Sequence, residues 1–234
     1  MRTVAVVLAG GSGLRLGGSV PKQLQLLAGQ TLLEHCVAAF DQAPGVDEVV
    51  AVMPASLVGD ASRILDGRYR KLAEIIAGGA DRAGSTRCAI NLLSRDGGTE
   101  CNVLFHDAAR PLVDQRIIAD CVAGLAHCQA LGVVVPTTDT IAELADGVMT
   151  AIPPRESLGR CQTPQGFRLS VIRHAYQLAD ADPDANAYTP TDDCGTVLRY
   201  LPDVQVRVVP GSERNIKITY PEDLRAAEAA LADA

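Results

Sequence analysis

Apolar residues along the chain fall into short runs separated by glycine, proline and polar clusters, and the runs alternate between two periods. Val4 to Ala9 is an unbroken β-branched and aliphatic run, the pattern of a strand buried on both faces of a parallel sheet. Asp47 to Met53, Glu74 to Ala77, Cys101 to His106 and Leu131 to Val135 also read as strands. Between them the spacing becomes helical. Thr31-Leu32-Leu33-Glu34 reads as a capping box, in which hydroxyl and carboxylate satisfy free amide donors, and opens a helix to about Ala43. Pro54-Ala55-Ser56 opens another helix, Arg82 to Leu93 is helical, and Asp114 caps a helix through about Cys128. Alternation of this kind predicts a layered α/β sheet.

From Asp139 the rhythm changes. Thr140 to Leu144 and Val148 to Ile152 are short segments joined through Ala145-Asp146-Gly147, a hairpin turn, and predict an arm at about 138–160. Beyond it come a loop with Pro153 and Pro154, a helix near Leu169 to Leu178, a polar stretch through Tyr188-Thr189-Pro190 and a strand from Gln205 to Val209. Pro221, followed by Glu222 and Asp223, starts a terminal helix whose first turn favours negative charge. With no internal repeat and no Gly-, Ser- or Pro-rich linker, residues 1–234 read as one domain.

Composition narrows the function. Apolar residues make up 47% of 234, ample for a buried core. Lys and Arg total 21 against 28 Asp and Glu, a formal charge of -7, which disfavours a nucleic-acid partner. Aromatics at 3% with no Trp argue against base stacking along a strand. The seven Cys form no C-x-x-C pair and read as apolar thiols in a reducing cytosol rather than a disulfide framework or zinc knuckle. The run from Val4 to Ala9 is too short for a signal segment or membrane span, so a soluble cytoplasmic protein without a membrane partner is expected.

The chemistry begins after the first strand, where Ala9-Gly10-Gly11-Ser12-Gly13-Leu14-Arg15-Leu16 is a loop whose backbone amides can approach an anion. Leu16 stands where a dinucleotide fingerprint needs its third glycine, and Met53-Pro54 ends the second strand without an acidic residue for a ribose. An ATPase loop fails too, because Lys22 lies between Pro21 and Gln23. What remains is an amide cradle flanked by Arg15 and Lys22, an arrangement suited to a triphosphate whose charge must be neutralised as a phosphate bond breaks.

Read together, Ala9-Gly10-Gly11-Ser12-Gly13-Leu14-Arg15 with Pro21-Lys22-Gln23, His106-Asp107-Ala108-Ala109-Arg110-Pro111, Asp139-Thr140, Thr163-Pro164-Gln165 and Asn215-Ile216-Lys217 resemble the 2-C-methyl-D-erythritol 4-phosphate cytidylyltransferases, within the sugar-phosphate nucleotidyltransferases. The resemblance spans nearly the whole chain. It implies a single-domain, Rossmann-like, mostly parallel α/β sheet with flanking helices and a protruding β-arm that packs a homodimer. The implied reaction joins CTP to the phosphate of methylerythritol phosphate and releases pyrophosphate, a step towards isoprenoids.

Residue by residue, the resemblance implies that Ala9, Gly10, Gly11, Ser12 and Gly13 cradle the CTP phosphates while Arg15 and Lys22 act catalytically on the phosphoryl oxygens. Gly79 and Ser85 would contact the cytosine, and Asp107 would bind Mg²⁺, which commonly uses one or two carboxylates and completes its shell from phosphates and water. Thr140, Arg155, Thr163 and Lys217 would form the acceptor site, with Arg155 and Lys217 positioning the acceptor phosphate and Thr140 and Arg155 supplied by the partner's arm. Arg110 reads as structural, His106 as no metal ligand, and Thr191-Asp192-Asp193 as a helix cap. Two alternatives stand beside this reading: a ribitol phosphate cytidylyltransferase, and a non-catalytic CTP-binding regulatory protein.

Overall fold

The computed structural model describes residues 1–10, 20–95, 98–184 and 191–232. The strands are β1 (Thr3–Leu8), β2 (Leu26–Leu27), β3 (Gln30–Thr31), β4 (Glu48–Met53), β5 (Leu72–Ala77), β6 (Asn102–Asp107), β7 (Ala130–Pro136), β8 (Glu143–Ala145), β9 (Val148–Ala151), β10 (Gly159–Arg168) and β11 (Val206–Pro210). The helices are α1 (Leu32–Gln42), α2 (Val58–Leu65), α3 (Arg82–Leu93), α4 (Gln115–Gly124), α5 (Leu169–Ala181), α6 (Asp193–Tyr200) and α7 (Pro221–Ala232). One seven-stranded sheet has the order β11-β7-β10-β6-β1-β4-β5, and every strand in it is parallel to the others except β10.

Period-two alternation divides the central strands between two cores. Ala5 and Val7 pack with Leu33, Phe40, Leu65, Ile117 and Cys121 on the face of α1, α2 and α4. Val4, Val6 and Leu8 pack with Ile90, Phe105, Ile172 and Val197 on the face of α3, α5 and α6. The expected capping box is present: Thr31 accepts from the Glu34 amide while the Glu34 carboxylate accepts from the Thr31 amide. The thiols are free and Cys36, Cys101, Cys121 and Cys194 are buried, with burial pushing the Cys121 thiol up to about 12. No helix among the described residues is long and apolar enough to cross a membrane.

Two elements differ from the pattern read along the chain. Strand β10 lies between β7 and β6, although Pro164 and Gly166 argue against a central strand. A register shift between Gln162 and Gln165 carries Pro164 past the ladder to β7. At Gly166 a side chain would come within 2.8 Å of Leu131 and 3.0 Å of Leu104, so the leucines of the neighbouring strands fill the space that a Cβ would need. The cap read at Thr191-Asp192-Asp193 is present and opens α6, with the Asp192 carboxylate accepting from the Gly195 amide. Helix α4 ends at Gly124 instead of about Cys128; Ala126, His127 and Cys128 continue in tight turns that bring the chain back to β7.

The predicted hairpin is present, with Ala145 opposite Val148. Its two turn residues, Asp146 and Gly147, have φ of 51° and 78°, the left-handed pair that a two-residue hairpin loop requires. Every residue of β8 and β9 is exposed.

Candidate functional site

The chain leaves β1 for β4 on one side and returns to β6 on the other, so the crevice between β1 and β6 is a topological switch point. Leu8, the last residue of β1, is in register with Asp107, the last of β6, and the Ala108 amide donates to the Leu8 carbonyl at 2.9 Å. This register sets the start of the glycine loop beside a carboxylate. Gly11, Ser12, Gly13 and Arg15 lie outside the described residues. Ala9 is buried and held by its amide on the Val52 carbonyl at 2.8 Å.

Gly78 leaves β5 at the same edge, its amide on the Met53 carbonyl at 2.7 Å. Ser85 is wholly buried, and its hydroxyl donates to the Asp81 carbonyl at 2.9 Å. A Cβ at Gly10 or Gly78 would meet that hydroxyl at 2.7 or 2.6 Å, so the absence of side chains there lets Ser85 wedge under both loops. Gly79 lies against the backbone of Gly84 in the first turn of α3, where a Cβ would approach to 2.6 Å. The two candidate base-reading residues therefore share one floor, with the Ser85 proton already committed to the backbone.

Asp107 is the electrostatic centre. Arg82 donates from Nε at 3.1 Å to one carboxylate oxygen, and Lys217 donates from Nζ at 2.8 Å to the other. Burial alone would push this carboxyl up; Arg82 and then Lys217 override it and hold it well below the usual carboxylate range. Arg82 also reaches Asp193 through Nη1 at 2.9 Å.

Behind Asp107 a buried hydrogen-bond chain sets the strand end. His106 faces the Arg110 carbonyl with Nε2 and the Thr163 hydroxyl with Nδ1, both at 3.0 Å. Burial pushes its imidazole down to about 4, so the ring is neutral at pH 7. A carbonyl can only accept, which places the proton on Nε2 and makes Nδ1 the acceptor of the Thr163 proton. The same hydroxyl accepts from the Asp107 amide at 3.1 Å. Thr163 is thus committed to the scaffold through its only proton.

Lys217 is carried on a clasp. Asn215, fully buried, donates through Nδ2 to the Thr163 carbonyl at 2.9 Å and to Gln162 Oε1 at 3.2 Å. Arg110 donates to the Asn215 carbonyl at 2.7 Å, consistent with its structural reading, and Ile218 donates to the Ala109 carbonyl at 2.8 Å. Ile218 then enters a small core with Leu27, Leu32 and Ala227. Lys22 begins a short 3₁₀ turn, Lys22–Leu24, whose next residue Gln25 donates to the Lys22 carbonyl at 3.1 Å.

Two groups of site residues therefore form. Asp107, Lys217 and Thr163 meet at the end of β6 and the middle of β10. Thr140 and Arg155 meet each other at 3.2 Å at the base of the exposed hairpin. Arg82 escaped the sequence reading because it looked like an ordinary helix-start residue; its position just after the capping Asp81 was the only local signal. Among the described residues no cluster of three or more His, Cys, Asp or Glu could hold a metal. An ionised Asp107 supplies one hard oxygen donor, which fits Mg²⁺ sharing its shell with phosphates and water.

The family profile described as IspD, 2-C-methyl-D-erythritol 4-phosphate cytidylyltransferase, matches residues 3–233. The chain belongs to this cytidylyltransferase family. It is 52% identical to the 2-C-methyl-D-erythritol 4-phosphate cytidylyltransferase of Thermobifida fusca over 98% of this chain and 93% of that one. The bifunctional ribulose 5-phosphate reductase/CDP-ribitol pyrophosphorylase Bcs1 of Haemophilus influenzae is 36% identical, over 95% of this chain and 47% of that protein. Among solved structures, 4-diphosphocytidyl-2C-methyl-D-erythritol synthase from Anaerococcus prevotii superposes with a TM-score of 0.84 at 26% identity, covering 99% of this chain and 98% of that one. The cytidylyltransferase fold is therefore shared along the full length.

Proposed function

We propose that the chain transfers CMP from CTP to 2-C-methyl-D-erythritol 4-phosphate, with the crevice between β1 and β6 as the reaction site. The observation that supports this reading is the register of Leu8 with Asp107, which sets the start of the glycine loop, Ala9 and Gly10, beside an ionised carboxylate braced by two cations. An oxygen of the acceptor phosphate attacks the α-phosphorus of CTP, the bond from that phosphorus to the β-phosphate oxygen breaks, and pyrophosphate leaves. Both reactants are anionic, so positioning and charge screening dominate the barrier, and no covalent nucleophile is required.

Amides of residues 9–13 bind the triphosphate, Arg15 and Lys22 stabilise charge on the phosphoryl oxygens, and Lys217 steers the acceptor phosphate. Asp107 would hold a divalent cation, which when bound would supply further positive charge to the phosphates. The cytosine is read largely by backbone groups around Gly79, over the floor that Ser85 supports. Thr140 and Arg155 complete the acceptor site of a second copy, because the hairpin that carries them is exposed and apolar at Leu144, Val148 and Met149. A homodimer follows, since an isolated two-stranded hairpin is marginal in water.

The test is pyrophosphate release from CTP or UTP with methylerythritol phosphate or ribitol phosphate and Mg²⁺. Release with CTP and methylerythritol phosphate is expected. A clear preference for ribitol phosphate, the substrate class suggested by the more distant Haemophilus relative, overturns the acceptor assignment. CTP binding without release under any combination favours the regulatory alternative.

A further inference from the structure

We propose that Arg82 is a positioning residue for the reaction, anchored from below by the buried Asp193 so that it aims the Asp107 carboxylate into the crevice. The proposal rests on the cytidylyltransferase reading. Arg82 is the one side chain in the described site that bridges two carboxylates, through Nε to Asp107 at 3.1 Å and through Nη1 to Asp193 at 2.9 Å. A planar guanidinium transmits orientation between two partners in a way that a rotating ammonium cannot. Lys217 holds the opposite oxygen of Asp107 but is about half exposed, at 46%, against 25% for Arg82 and 0% for Asp193. The more buried brace and the more exposed one thus act on different oxygens of one carboxylate.

Asp193 is built as an anchor. It accepts from the Tyr176 hydroxyl at 2.7 Å and from the Thr86 hydroxyl at 3.0 Å, while its amide donates to Gln165 Oε1 at 3.0 Å. Gln165 belongs to β10 and pairs directly across from Phe105 in β6, so the anchor is tied to the strand that carries Asp107. A buried ion pair is a poor source of stability relative to an apolar pair. Its use here is geometric: α6 and β10 hold the arginine, and the arginine holds the carboxylate at the site. Arg82 also opens α3, the helix that carries Ser85, so the base floor and the Asp107 carboxylate turn on one helix start.

The test compares Asp193→Asn, Arg82→Lys and the double variant Arg82→Met with Asp193→Asn against wild type. Three quantities are read: melting temperature, Mn²⁺ binding in the presence of CTP by electron paramagnetic resonance, and steady-state pyrophosphate release. Asp193→Asn keeps the shape and an acceptor for Tyr176 and Thr86 but turns a donor towards Arg82. It is expected to stay folded, to bind Mn²⁺ about 10–100-fold more weakly and to lose kcat to a similar degree, with the acceptor KM nearly unchanged. Arg82→Lys should retain the wild-type melting temperature more fully than the wild-type Mn²⁺ affinity. The double variant removes both charges of the pair and should regain stability without regaining Mn²⁺ affinity or kcat.

Recovery of Mn²⁺ affinity and kcat together with stability in the double variant overturns the proposal in favour of a purely structural pair. So does an Asp193→Asn protein that fails to fold, or one with wild-type Mn²⁺ binding and kcat. Wild-type protein that holds no Mn²⁺ with CTP overturns it as well. If wild type binds Mn²⁺ with CTP yet releases no pyrophosphate, the transfer reading fails, and the Mn²⁺ comparison still decides the role of Arg82.

Discussion

The carboxyl edge of the central strands and the β8–β9 hairpin carry the two halves of the candidate site in opposite physical states. At the strand ends Asp107, Arg82 and Asp193 are wedged between packed elements, with their charges paired inside the chain. On the hairpin no strand residue is buried, and Leu144, Val148 and Met149 present apolar surface to solvent. One half is preorganised by folding alone. The other is shaped locally by its turn, and the proposed dimer would bury its apolar surface.

The sharpest way to break this contrast is at its rigid pole. Asp107→Ala removes the group that Arg82 and Lys217 both hold, and turnover should fall about 10²–10³-fold while the circular dichroism spectrum is unchanged; near-normal turnover would remove the carboxylate from the mechanism. At the other pole, Arg155→Ala deletes the charge proposed to contact the acceptor and should raise its KM about 10–100-fold with kcat less affected. Leu144→Asp with Val148→Asp should give the same KM effect together with a shift from dimer to monomer in sedimentation. A dimer that persists, with full activity, separates the hairpin from assembly.

Acid titration sharpens the rigid half. His106 has a folded value of about 4, below its ordinary 6.5, so the unfolded chain binds the extra proton first. Its contribution is fully present above pH 6.5 and is lost as pH falls towards 4, about 2 kcal/mol by pH 5. Asp107 is lowered too, so its contribution persists at pH 5 and disappears only in stronger acid. Denaturant midpoints at pH 7 and pH 5 check this, and His106→Gln should flatten the difference. The smallest effect belongs to the hairpin turn: Gly147→Ala strains a φ of 78° with no neighbour within 4 Å. It should cost about 1 kcal/mol, read as a small loss of melting temperature.

Legibility in the sequence followed the same division between local and distant causes. The parallel strands, the helices that begin at Thr31, Arg82 and Asp114, and the hairpin at Asp146-Gly147 were all written in residues that act within a few positions of themselves. Strand β10 was not, because Gln162, Thr163 and Gln165 are polar residues buried only by partners on β6, α6 and the 212–215 turn. Arg82 was missed for the same reason: its two carboxylates lie 25 and 111 positions along the chain.

The chain's own pattern determined the α/β alternation, the glycine loop after the first strand and the residue types needed to manage phosphate charge. Periodicity, capping and motif spacing are local properties, and burial of the strands follows from them. Tertiary structure alone decided which charges meet. Asp107 became an ionised, clamped carboxylate because folding placed Arg82 and Lys217 on its two oxygens, and desolvation made those contacts strong enough to override the cost of burying the charge.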